Sequence, residues 1–285
     1  MRVAALYDIH GNLPALEAVL AEIRALDVDE LIIGGDVFPG PFAPEVLDRL
    51  MALELPVRYL KGNGDRAVVE AAAGQPLHAL PEAARPAVEW GARAATPDQL
   101  RRMAAWPATL RLAAACRRPE QSGHPLPIIE GCPPSDHWER RKQKVAVPLE
   151  LPKVGEVLFC HATPYSDVDV FTRRSSDERV RALLGGETAP LVVCGHTHMQ
   201  FDRRVGNTRI LNAGSVGMPF GDPGADWLLL SPQPELRHTA YDLEAAAARV
   251  RSCPYPGAAE FADREILHPR PAAEMEALFE GRPGT

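Results

Sequence analysis

Several features are missing or scarce in this chain of 285 residues, and each absence narrows what it can be. No run of about 18 apolar residues occurs, so no transmembrane helix and no membrane partner are expected. The start, "MRVAALYDIHGN", meets Asp8 and His10 before a long apolar stretch can build. It lacks signal-peptide architecture, which predicts a cytoplasmic protein. Basic charge is short: 31 Lys and Arg against 38 Asp and Glu give a net charge of −7. A duplex nucleic-acid partner, which needs a clustered basic footprint, is therefore not expected. The basic run "ERRKQK" at 139–144 reads as a solvated loop. The five cysteines, at 116, 132, 160, 194 and 253, form no C-x-x-C pair and fit reduced thiols rather than a disulfide frame or a zinc ribbon. Cys160 and Cys194 lie in apolar runs and read as small core residues. There is no internal repeat and no low-complexity segment.

What is present is a regular alternation. "RVAALY", "ELIIGG" and "VRYLKG" read as buried strands, with helical spacing in "LPALEAVLAEIRAL" and "APEVLDRLMAL" between them. Such βαβ units predict a parallel sheet. Residues 66–106 read as helical, and "TPDQLRRMAAW" offers Thr96 as an N-cap with Pro97 after it. The stretch at about 117–144 holds five prolines and no clean period, so it is expected to be an irregular loop or insertion. Strands resume at "EVLFC" and "LVVCG", with a helix around "SSDERVRALLG". The later segments "QFDRRV", "TRILNAG", "DWLLLS" and "ELRHTAY" predict a second, more antiparallel sheet packed on the first. Two helices at about 242–281 are expected to cover the outside. The whole, 1–285, is read as a single domain.

The polar residues fall at the strand ends. "RVAALY" runs into Asp8-Ile9-His10, "LIIGG" into Asp36, "VRYLKG" into Asn63, "EVLFC" into His161 and "LVVCG" into His196-Thr197-His198. The carboxyl ends of strands in open α/β sheets open into one crevice, so these seven side chains are expected to converge. Paired side chains at i and i+2 face one side only if the backbone turns, which the neighbouring glycines make feasible. Imidazole with carboxylate suits Mn first, with Fe, Zn, Ni or Co also fitting. Two divalent ions about 3.5–4 Å apart, bridged by one carboxylate, would use all seven ligands.

In order, these elements resemble the signature of the calcineurin-like metallophosphoesterases: D-x-H, G-D, G-N, a lone H and G-H-x-H. Here they are Asp8-Ile9-His10, Gly35-Asp36, Gly62-Asn63, His161 and Gly195-His196-Thr197-His198. "DIHGN", "GNGD" and "NAGSVGMP" look most like the family's small bacterial and archaeal phosphodiesterase branch. The resemblance runs from Met1 to about Asp242. It implies a four-layer α/β/β/α sandwich of two mixed sheets flanked by helices. It also implies that one ion takes Asp8, His10, Asp36 and His198. The other would take Asp36, Asn63, His161 and His196, with Asp36 bridging and holding the nucleophilic water. The expected activity is hydrolysis of a small phosphodiester, with phosphomonoesters as further substrates, by a hydroxide between the ions. A metal-binding scaffold without activity, or a nuclease, is the alternative.

One position departs from the pattern. The family often has a His after the Asn, where it protonates the leaving oxygen; here Gly64 stands in "KGNGDRA". The proton would then come from water or from Asp65, or the substrate would need little protonation. Asp65 also fits a helix N-cap, and Arg66 could pair with the phosphate through its fork. Asn12 and Ser215 could donate to the phosphate or tie loops together. The segment 117–144, with His124 and His137, could form a lid.

Overall fold

The computed structural model describes residues 1–78, 80–113, 156–231 and 233–281. The irregular stretch at 117–144, and with it the lid reading, lies outside these residues. The chain begins with β1 (Val3–Leu6), α1 (Leu13–Ala25), β2 (Glu30–Ile33), α2 (Ala43–Met51) and β3 (Val57–Tyr59). Three helices follow: α3 (Asn63–Ala72), α4 (Arg85–Ala94) and α5 (Pro97–Ala105). Next come β4 (Thr109–Ala113), β5 (Glu156–Cys160), α6 (Asp177–Leu184), β6 (Leu191–Cys194), β7 (Phe201–Val205) and β8 (Thr208–Asn212). The last strands are β9 (Ala225–Leu230) and β10 (Pro234–Thr239). The chain closes with α7 (Leu243–Arg251), α8 (Ala258–Phe261), a π-helical turn at Ala262–Leu267 and α9 (Ala272–Glu280).

Local chemistry accounts for the helix boundaries. Asn12 caps α1 by accepting from the Ala15 N–H at 3.2 Å, and Pro14 follows within the first turn. Leu16, Val19, Leu20 and Ile23 then bury one face of α1 at helical spacing. Thr96 and Gln99 close a reciprocal capping box on α5. Ser176 opens α6 and Gly185 ends it in a left-handed conformation.

The strands form two five-stranded mixed sheets, ordered β10-β9-β1-β2-β3 and β4-β5-β6-β8-β7. β1 is buried on both faces. Ala4 and Leu6 pack towards α1 and α2, whereas Val3, Ala5 and Tyr7 meet Val157, Phe159, Leu191 and Val193 of the other sheet. On the far side of the second sheet, Val180 and Leu184 of α6 cover Leu158, Val192 and Ile210. This is the four-layer α/β/β/α arrangement. Burying each such aliphatic side chain contributes about 1.5–3 kcal/mol.

Two expectations change. The late strands do not form one sheet. β7 and β8 extend the second sheet, but β9 pairs antiparallel with β1 and carries β10 with it. Four consecutive buried apolar residues, Trp227 to Leu230, let β9 sit in the interior of the first sheet. The tail also holds more than two helices, because α8 and the π-helical turn lie between α7 and α9.

Candidate metal centre

The five polar strand ends meet in one place, at the carboxyl edges of both sheets rather than of one. β1, β2 and β3 of the first sheet deliver Asp8, His10, Asp36 and Asn63, while β5 and β6 of the second deliver His161, His196 and His198. The turning of the backbone is done largely by these residues themselves. Asp8 (φ +52°), His10 (+45°), Asp36 (+53°), His196 (+66°) and His198 (+55°) are left-handed; among the other described non-glycine residues only Asp27 shares that conformation. Asp and His tolerate it better than most residues, yet each instance costs on the order of 1–3 kcal/mol unless the surroundings enforce it. Backbone bonds do so: the Asp8 N–H donates to Gly35 (3.1 Å) and the His10 N–H to Asp36 (2.9 Å). The His196 N–H donates to Oδ2 of Asp8 at 2.8 Å. Gly195 permits that approach, since a Cβ there would lie 2.4 Å from the same oxygen.

The side-chain atoms converge at ligand spacing. His198 Nε2 lies 3.4 Å from Asp8 Oδ1. Asp36 Oδ2 sits between two imidazoles, 3.6 Å from His10 Nε2 and 3.5 Å from His161 Nε2. Two ligands about 2.1 Å from one ion at tetrahedral or octahedral angles stand about 3.0–3.4 Å apart. Asp8, His10 and His198 form one group able to hold an ion, and Asp8, Asp36 and His161 another. The ring nitrogens facing away are already engaged. Nδ1 of His10, His161 and His198 meets the carbonyls of Pro39 (3.2 Å), Gly34 (2.9 Å) and Met218 (2.9 Å). That orients each Nε2 inward, as metal-binding histidines require.

Two details test whether a cation fits. Asp8 Oδ1 is buried with no hydrogen-bond partner, an arrangement that is costly unless a cation or proton answers it. The amide oxygen of Asn63 lies 3.0 Å from His161 Nε2, His196 Nδ1 and the Asp167 carbonyl oxygen. Either the amide turns and donates its N–H groups to them, or a positive charge sits among them. The donor set therefore fits a metal ion.

Electrostatics agree. Burial would raise the carboxyl groups of Asp36 and Asp8, but the imidazoles around them prevail and hold both below the ordinary range. Burial opposes charge on His161, yet Asp36 and Asp8 outweigh it and push its pKa up to about 10. Burial and the neighbouring His161 push His196 down to about 4. Without an ion, protons on the imidazoles balance the two carboxylates.

The residues around this ring have definite partners. Asp65 is not the N-cap of α3; Gly62 holds that position and Asp65 stands at the third helical residue. Its buried carboxylate accepts from the N–H groups of Asp36 (2.8 Å), Phe38 (2.9 Å) and Gly62 (3.1 Å), tying down the Asp36 loop. Burial and the nearby Asp36 charge push its pKa up to about 7. The Gly64 N–H donates to Asp36 Oδ1 at 2.7 Å, and a Cβ on Gly64 would stand 2.4 Å from the Phe38 carbonyl. The backbone thus has no room for a side chain at that position. Arg66 places its fork on Asp167 at 2.7 and 3.0 Å, with Glu70 as a further partner at 3.3 Å. Asn12 is buried, its amide committed to Ala15, Gly217 and Tyr241. The Ser215 hydroxyl donates to the Asp8 carbonyl and accepts from Met218. These bonds tie the loops on which the two residues stand.

A family model for the calcineurin-like phosphoesterase superfamily domain matches residues 1–233. The chain belongs to that superfamily. It is accordingly a metal-dependent phosphoric ester hydrolase. The fold is similar to that of a hypothetical protein from Pyrococcus horikoshii, at 15% identity and a TM-score of 0.69, covering 94% of this chain and 99% of that one. It is also similar to a metallophosphoesterase from Sphaerobacter thermophilus, at 20% identity and a TM-score of 0.62, covering 93% and 99%. Among curated proteins none matches the chain.

Two parts of this phosphoesterase's centre carried no signal in the sequence. Asp167 brings its carbonyl to Asn63 and its carboxylate to Arg66, although it lies in an ordinary polar loop, "PYSDVDV". Phe220 stacks on the His198 ring, with centroids 5.5 Å apart and planes at 24°. Neither a loop aspartate nor a phenylalanine between two turns betrays such a neighbour.

Proposed function

We propose that the seven side chains hold two divalent ions and that the protein hydrolyses a small phosphodiester. One ion would be held by Asp8, His10, Asp36 and His198, the other by Asp36, Asn63, His161 and His196. The observation that carries this reading is the place of Asp36 Oδ2, nearly equidistant from His10 and His161, which would serve different ions. Asp36 is thus the bridging carboxylate. Manganese fits the mixed nitrogen and oxygen donors best, with iron, zinc, nickel and cobalt as alternatives. Ions bound there would lower the pKa of water and offset charge on the phosphoryl oxygens.

The chain's own residues set the rest. Asp65 and Gly64 fix the Asp36 carboxylate from behind, by two bonds to its loop and one to its Oδ1. The first turn of α3 is then engaged in holding Asp36 and presents no side chain at position 64 to protonate a leaving oxygen. General acid catalysis is typically worth about 10²–10⁴ in rate. Esters whose leaving oxygen departs as a stable anion, such as aryl phosphodiesters, are therefore the favoured class. The net charge of −7 supports small substrates over nucleic-acid polymers.

The test is hydrolysis of bis-p-nitrophenyl phosphate and p-nitrophenyl phosphate by chelator-stripped protein, with and without Mn. An Asp36→Asn variant serves as control. Mn-dependent turnover, faster on the diester and lost in the variant, is the expected result. Turnover indifferent to chelator and to Asp36→Asn would sink the assignment.

A further inference from the structure

The family match ends at residue 233, yet the chain beyond it reaches the centre. Met275 and Phe279 of α9 form a buried cluster with Val170, Met199 and Phe220. Phe279 contacts the Phe220 ring at 6.2 Å between centroids, and Phe220 in turn stacks on the imidazole of His198. Among the described residues the other imidazoles of the centre have ring contacts only with one another, His10 with His198 and His161 with His196.

The segment carrying Phe220 is tied on both sides. The Phe220 N–H donates to the His198 carbonyl (3.2 Å), the Met218 carbonyl meets His198 Nδ1 (2.9 Å), and the Gly221 N–H donates to Arg270 (2.9 Å). α9 is docked by polar contacts as well. Glu280 accepts from Thr172 and Ser175 at 2.6 and 2.5 Å, and Glu276 pairs with Arg173 at 2.7 Å. A cavity of about 250 Å³ borders Phe220, Met199, Ala272 and Glu276. If Phe279 were truncated, the Phe220 ring would have space to leave the His198 face. His198 is left-handed at φ +55°, so its orientation depends on what surrounds it.

We propose that α9 acts, through Phe279 and Phe220, as a positioning element for His198, and so sets the affinity of the ion that His198 serves. This rests on the two-ion reading above. Phe279 and Phe220 are positioning residues, since neither offers a ligand atom. Removing a hydrogen-bonding outer partner of a metal-binding histidine typically weakens metal affinity by about 10- to 100-fold; losing a stacked ring while the Met218 bond stays should fall at the low end, about tenfold.

The experiment uses full-length protein stripped of metal, with Phe220→Ala, Phe279→Ala and Phe279→Leu variants. Val250→Ala, a truncation in the separate cluster of α7, controls for loss of stability. Mn binding is followed by titration calorimetry and by the spectrum of free Mn, and ion-free melting is recorded for each variant. One of two Mn ions should bind about tenfold more weakly in both alanine variants. The other should be unchanged, Phe279→Leu should recover most of the loss, and Val250→Ala should melt lower but bind both ions normally. Equal weakening of both ions, unchanged affinities, or an equal loss in Val250→Ala would overturn the proposal. Wild-type protein that binds a single ion or none would overturn the two-ion reading itself, a result visible before any variant is compared.

Discussion

The two sides of the centre are held by different forces. On the first sheet, Asp36 is fixed electrostatically: one buried carboxylate, Asp65, gathers two N–H groups of its loop and the Gly62 N–H, and the Gly64 N–H caps its Oδ1. On the second sheet, His198 is fixed by packing, with Phe220 against its ring and α9 behind Phe220. Hydrogen bonds in a buried loop are short-ranged and specific, so the first side is confined to the loop after β2 and the first turn of α3. A stacked ring confers orientation only while something holds the ring, so the second side draws on a helix some seventy residues further along. Damage should therefore act differently on each side: all or none at Asp36, graded at His198.

The largest effect is expected from Asp65→Ala. It leaves three buried N–H groups without an acceptor, costing about 3 kcal/mol or more, and frees the Asp36 loop. Denaturant unfolding of the ion-free protein should show that loss, and calorimetry should find neither ion bound tightly if Asp36 serves both, as proposed. Retention of one tight ion would show that Asp36 does not need Asp65, and the contrast between the sides would collapse.

Protons come next, and they act on both sides at once. With no ion, and against burial, Asp36 and Asp8 push His161 up to about 10, and Asp8 raises His198 likewise, so a cation must displace protons from each. Affinity for Mn should rise with pH, by up to about tenfold per pH unit for each proton released. For the His161 proton alone that is about a hundredfold between roughly pH 6 and pH 8. The raised His161 pKa gives the ion-free fold stability that is complete below its unfolded value of 6.5 and lost as pH rises towards about 10. Ion binding should thus stabilise the protein more at high pH than at low. Calorimetry in buffers of different ionisation enthalpy counts the protons; a count of zero would mean the imidazoles are already neutral.

Gly64→Ala is expected to be milder and confined to the first sheet. A Cβ 2.4 Å from the Phe38 carbonyl and 3.0 Å from Asp36 Oδ1 must push one of them away, at a cost of about 1–3 kcal/mol. Gly64→His should behave worse, lowering turnover instead of supplying the missing acid. A gain of activity on alkyl phosphodiesters in Gly64→His would show that the loop yields and that the acid is simply absent.

Much of this was legible in the sequence because strand ends in an α/β fold share a destination. Five apolar runs each ending in Asp, His or Asn were enough to bring Asp8, His10, Asp36, Asn63, His161, His196 and His198 together. The left-handed backbone at five of these was not, since Asp and His adopt it only under tertiary constraint. The placement of β9 beside β1 also escaped, because an apolar run such as "DWLLL" does not say which sheet will bury it. Asp65 and Asn12 were visible as polar residues near helix starts, but their roles depend on neighbours 27 or more residues away.

The smallest effect concerns the rim, where Arg66 bridges the two sides. Its guanidinium on Asp167 is 40% exposed, and such pairs contribute about 0–1 kcal/mol, so Arg66→Ala should lower the melting temperature by no more than about 3 °C. Its consequence should instead appear at Asn63, whose amide meets the Asp167 carbonyl at 3.0 Å. If Arg66 serves to hold Asp167 there, the ion proposed for Asn63 should bind several-fold more weakly while KM measured at saturating Mn stays put. If Arg66 instead leaves Asp167 to grip the substrate phosphate, the pattern reverses, with KM rising and both ion affinities intact. The bidentate contact with Asp167 and the second partner at Glu70 favour the first outcome, since a phosphate would have to displace two carboxylates already in place.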